Sequence, residues 1–93
     1  MTAGRDPVAV AALQYCAAGT AEETLRTLMP LIDRAADDGA KLVFLPEAAT
    51  FLAASRAALA DEAEPAGESP VLDRLCNAAA RRGIELSIGS MFF

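Results

Sequence analysis

A chain of 93 residues allows one small domain at most, and at that size folding buries only about 60 to 65% of the unfolded surface. Its apolar fraction of 54% owes much to alanine, a composition that favours close-packed helices on a sheet and argues against disorder. Eight basic residues against thirteen acidic ones leave a net charge of −5, and no cluster of Lys or Arg could follow a phosphate backbone, so nucleic acid is not an expected partner.

No apolar run approaches the roughly 20 residues of a membrane span, and the opening MTAGRDPVAV lacks the basic patch and long apolar core of a signal peptide. No membrane partner and a cytoplasmic location are the expectation. Without histidine, neither a Ser-His nor a Cys-His pair can form within the chain, and the usual zinc sites lose their commonest ligand. Neither metal nor cofactor is expected. Cys16 and Cys76 have no CxxC spacing. Cys76 reads as a small buried hydrophobe on a helical stripe, whereas Cys16, after a strand, could share an edge with Glu47.

Val8 to Leu13, VAVAAL, is an apolar run entered through Pro7, which predicts a buried strand over about 8–14. Thr20 with Glu23 makes a capping box, and Leu25, Leu28, Met29, Ile32 and Ala36 keep helical spacing, so a helix is predicted over 21–38 with Gly39 closing it in a left-handed conformation. Pro30 lies inside that helix. Its neighbours Arg26, Asp33, Arg34 and Asp37 face water, which predicts a kink and not a break.

Lys41 to Glu47, KLVFLPE, is the stretch that the rest of the chain is arranged around. Leu42 to Leu45 predict a strand over 41–45 buried on both faces, and Pro46, which has no amide hydrogen for the ladder, ends it. Glu47 is then the first polar side chain past the carboxyl end, where open α/β sheets bind their ligands.

Residues 48–68 form a connection too long to lack structure, with a short helix expected over about 55–63 and the remainder folding over the site of Glu47. Asp61, Glu62 and Glu64 read most simply as a solvated face, and Pro65 with Gly67 as a turn. Ser69 followed by Pro70 starts a helix over 70–82, with Asp73 in its first turn and a stripe of Leu72, Leu75, Cys76 and Ala79. Arg81, Arg82 and Gly83 end it. Ile84, Leu86 and Ile88 alternate with Glu85 and Ser87, a third strand over 84–89 with one apolar face.

Strand, helix, strand, helix, strand predicts α/β architecture with parallel pairing through right-handed crossovers. If the strands lie in chain order, both helices share one face and the other is bare; if the first strand is central, the helices lie on opposite faces. A nucleotide-binding half-domain is the rival reading. It is disfavoured by the lone Gly19 in the first turn and by Glu22 and Glu23, which would repel a phosphate at the helix start.

The pattern VAALQ, a helix ending in RAADDGAKLVFLPE, material around Glu64 to Pro70, and a helix into RRGIELSIGS resembles the amino-terminal part of the carbon-nitrogen hydrolase family, the nitrilase superfamily. The likeness runs from about Val8 to Phe92, and its most specific element is Leu45-Pro46-Glu47. LPEA, a following phenylalanine and a later EP resemble the deaminated glutathione amidase and omega-amidase group.

The resemblance implies that residues 1–93 are the amino-terminal fragment of one four-layer αββα sandwich, whose complete form is a homo-oligomer hydrolysing a small amide. It further implies a Glu-Lys-Cys set and a thioester intermediate, with Glu47 as general base. A carboxylate partly desolvated at a strand end has its pKa raised toward a useful range, in keeping with that role. The family's lysine and nucleophilic cysteine come later than the third strand, and neither is matched here. Lys41 would sit at the opposite end of the sheet, about 20 Å from Glu47, and Cys16 does not match the nucleophile, so the chain alone is expected to be inactive. The other reading is a non-catalytic module that associates with other subunits or binds a small ligand.

Overall fold

A computed structural model describes residues 7–93. The elements follow in the order β1 (Val10–Ala12), α1 (Ala21–Asp37), β2 (Leu42–Leu45), α2 (Arg56–Glu62), α3 (Pro70–Arg82) and β3 (Glu85–Ile88). The strands form one parallel sheet, β1-β2-β3, with Leu42 opposite Val10 on one side and Glu85 on the other. The α/β class is as expected, and the strands lie in chain order.

That order decides which surfaces are buried. Right-handed crossovers carry α1 and α3 to the same face of the sheet, where Leu25, Leu28, Ile32 and Leu75 pack with Val43 and Leu45 in one core. Side chains alternate across a strand, so Phe44, between those two, points away and is 42% exposed, as is Val10 at 58%. The expectation that the first two strands are buried on both faces is therefore corrected. Their apolar composition is that of doubly covered strands, but the helices of residues 7–93 cover one face only.

Both long helices close alike. In α1 the amide of Gly39 donates to Ala36 O and that of Ala40 to Ala35 O, each at 3.0 Å, with Gly39 at φ +96°. In α3 Gly83, at φ +64°, donates to Ala80 O and Ile84 to Ala79 O. These paired bonds satisfy the last carbonyls, and a left-handed residue at this point favours glycine. α1 runs unbroken through Pro30, whose exposed position lets water serve the carbonyl the ring leaves free. Arg82 ion-pairs with Asp37 and so ties the ends of the two helices together.

Cys76 corrects another expectation. α3 buries Leu75 and Ala78, whereas Cys76 is exposed in an open groove shared with Ile84, Leu86 and Ile88. The helix is buried where it meets α1 and the sheet, and Cys76 lies toward the outer side of β3, where no further strand stands among the described residues.

The acidic run is also more than a solvated face. Asp61 is exposed, but Glu62 accepts from Ala21 N at 2.6 Å, and Glu64 accepts from Ser69 Oγ at 2.8 Å and Val71 N at 3.2 Å. The two carboxylates take up amides that the first turns of α1 and α3 cannot satisfy internally. They fasten the connection between β2 and α3 to the starts of both long helices.

Candidate active site

All three strands end at one level, and Glu47 stands just past the middle one. Gly89 N donates to Leu45 O at 3.2 Å, which carries β2 and β3 together to that edge. Beyond it the two chains stay in contact. A Cβ placed on Gly89 would meet the Pro46 carbonyl and the Glu47 nitrogen at 2.8 Å, closer than real atoms approach. Here glycine is required by proximity of backbone.

The residue after Glu47 is held in an unusual conformation. Ala48 has φ +49°, the left-handed region that a Cβ disfavours by about 1–2 kcal/mol. Hydrogen bonds from both neighbouring strands surround it. Ala48 N donates to Ser90 Oγ at 2.8 Å, Ala49 N donates to Ser90 O at 2.9 Å, and Tyr15 Oη donates to Ala49 O at 2.7 Å. Partial burial pushes the Tyr15 phenol up to about 12. It stays protonated, and so remains a donor, throughout the ordinary pH range.

The side chain of Glu47 is exposed, so the expected partial desolvation is not supplied by the described residues. The connection beyond it runs along the edge without covering the carboxylate. Phe51 is buried against Phe92, with ring centroids 5.6 Å apart, and Leu52 N donates to Ala18 O at 2.8 Å. These contacts stretch from the end of β3 back to the loop after β1. The result is a rigidly mounted acid open to solvent on one side.

Other candidate residues separate cleanly. Lys41 lies at the amino end of β2, where its amide donates to Ala9 O and its carbonyl accepts from Glu85 N, so the sheet stands between it and Glu47. Cys16 is exposed and follows Tyr15 on the carboxyl edge. The start of α1, where the rival reading needed free amides for a phosphate, is occupied: Ala21 N goes to Glu62, and Glu23 N to Thr20 Oγ1 at 3.3 Å. Tyr15, Gly89 and Ser90 were not singled out by sequence reasoning. One signal was available, because in a parallel sheet the first residues past each strand lie side by side, and these are the residues flanking Glu47.

The three parallel strands in this order, with their helices, match the amino-terminal part of the nitrilase-like fold. The family model of carbon-nitrogen hydrolases matches residues 8–93. The chain belongs to the carbon-nitrogen hydrolase family. Among solved structures it is similar to the C. elegans NitFhit protein, with a TM-score of 0.73 and 24% sequence identity over 88% of this chain, and spans 19% of that chain. No curated protein sequence matches it.

Proposed function

We propose that the chain contributes the acidic member of a thiol-dependent amidase site, with Glu47 as general base. The observation that carries this reading is the mounting of Glu47: first polar side chain beyond β2, on a turn bonded to the ends of both flanking strands. The carboxylate takes the proton of a cysteine thiol, and the thiolate attacks the carbonyl carbon of a small amide. A lysine ammonium stabilises the oxyanion that develops. Glu47 returns that proton to the nitrogen as the amine leaves, a thioester remains, and the freed carboxylate then draws a proton from the water that hydrolyses it, handing that proton back to the thiolate as the acid product departs.

The cysteine and lysine of this scheme come from outside these 93 residues, as does the cover that desolvates Glu47. The chain by itself is therefore inactive in this reading. It matches only 19% of the NitFhit chain, which leaves ample length for both groups in a complete domain. Because the attacking group is a free thiolate, a reducing, cytoplasmic setting suits it. Short primary amides of the omega-amidase or deaminated glutathione amidase type are the proposed substrates, on the strength of Phe51 after LPEA and of Glu64-Pro65. The complete enzyme is proposed to be a homo-oligomer.

The test is ammonia release by the complete domain that contains this chain. Glu47→Gln is expected to lower kcat by about 10²- to 10⁴-fold, the usual contribution of a positioned base. Undiminished turnover would remove Glu47 from the chemistry. One observation favours a second, non-catalytic reading: Val8, Val10 and Phe44 give the sheet an exposed apolar face able to associate with another subunit. Stable association without any turnover by the complete domain would support that reading instead.

A further inference from the structure

We propose that Tyr15 and Ser90 are positioning residues for the Glu47 carboxylate, an inference that rests on Glu47 being the base. The direction in which Glu47 projects depends on the backbone it stands on, and that backbone turns through Ala48 at φ +49°. Alanine left to itself prefers negative φ. Something must hold it.

What holds it comes from the two flanking strands. The Ser90 hydroxyl accepts from Ala48 N, the Ser90 carbonyl accepts from Ala49 N, and the Tyr15 phenol donates to Ala49 O, all between 2.7 and 2.9 Å. One hydroxyl thus grips the amide entering the strained residue, and the other grips the carbonyl leaving the next one. Gly89 completes the mount. Its backbone lies so close to the Pro46–Glu47 peptide that even a methyl group would not fit between them. The close contact fixes where the turn sits, and the two hydroxyls fix how it is twisted.

Neither hydroxyl belongs to the core. Ser90 is exposed and Tyr15 only half-buried, so water could satisfy the serine as well as Ala48 does. Loss of either hydroxyl removes no apolar side chain from the core, against which the ring at position 15 still packs in Tyr15→Phe. It also frees Ala48 to return to negative φ, which swings the carboxylate away from its place. A misplacement of about 1 Å is enough to cost roughly 100-fold in rate.

The experiment compares Tyr15→Phe, Ser90→Ala and Ser90→Thr in the complete hydrolase domain that contains this chain, with and without Glu47→Gln, on a primary amide that the unaltered domain hydrolyses. Tyr15→Phe and Ser90→Ala are expected to lower kcat by about 10- to 100-fold with KM changed less than about twofold, because the acid moves while the substrate pocket does not. Ser90→Thr keeps the hydroxyl and most of the rate. In the Glu47→Gln background neither loss lowers the residual rate further, since both act through the same carboxylate. A purely structural role would lower it there too, and that result overturns the proposal, as does wild-type kcat in both variants. If Tyr15→Phe does not fold, the Ser90 pair decides alone. Inactive Glu47→Gln beside fully active hydroxyl variants refutes the positioning and leaves the base standing, whereas active Glu47→Gln overturns both.

Discussion

The two ends of the sheet are built by different means. At the amino end β2 and β3 are each delivered by a helix that closes on glycine, at Gly39 or Gly83, through bonds spanning no more than five residues. At the carboxyl end the turn after β2 is held by contacts across 34 and 42 residues, and its left-handed residue is an alanine. Where a left-handed turn only has to redirect the chain, glycine adopts it freely. Beside Glu47 the same conformation is imposed from outside. Strain held in place by its surroundings collects where a side chain must be aimed, and here it lies at the end bearing the acid.

Substitution at the glycines probes the contrast most sharply. Gly89→Ala is expected to destabilise the fold by about 2–3 kcal/mol, as overpacking against backbone that cannot yield does, and equilibrium urea unfolding measures it. A loss of only a few tenths would mean that the two strand ends are not in close contact. Gly39→Ala and Gly83→Ala should each cost about 1 kcal/mol, purely through φ, because no atom lies within 4 Å of either added Cβ. Arg82 and Asp37 tie these helix ends together, so the double variant measures any coupling against the roughly 0.5 kcal/mol within which independent effects add. Strong non-additivity would show that the amino end is not locally determined after all.

The effect that is smallest at neutral pH is that of Tyr15, which shows only in alkali. Tyr15 is the one tyrosine of the chain, so ultraviolet absorbance follows its ionisation directly. Its midpoint should lie near 12 in the folded protein and 10.0 in denaturant. Below pH 10 both states keep the proton and the phenol makes stability neither rise nor fall. From there to about 12 the unfolded chain loses the proton first, so stability declines as pH rises, and Tyr15→Phe should flatten that decline. A folded midpoint at 10 would remove the half-buried phenol from the carboxyl-end mount.

What could be read from the sequence follows the same division. Thr20, Ser69, Pro70, Gly39 and Gly83 act on their immediate neighbours, so caps and helices were legible to within a residue or two, and Pro46 marked the end of β2 correctly. Glu47 could be placed at the strand end for that reason. Its surroundings could not, because Tyr15 and Ser90 follow other strands and their part depends on strand order, which the sequence left open. Glu62 and Glu64 were misread on similar grounds. Their charge pattern is that of a surface, and only the path of the connection brings them to the two helix starts. Cys76 had the right helical spacing for burial, but spacing does not tell how wide a stripe the neighbours will cover.

The uncovered side of the sheet has a consequence for the life of the chain. Among the described residues β1 and β3 each pair on one side only, so two rows of free backbone donors and acceptors border a surface carrying Val8, Val10 and Phe44. Such rims template the addition of strands from neighbouring molecules. Transiently exposed surfaces and strand edges of this kind are what make partly assembled proteins prone to aggregate.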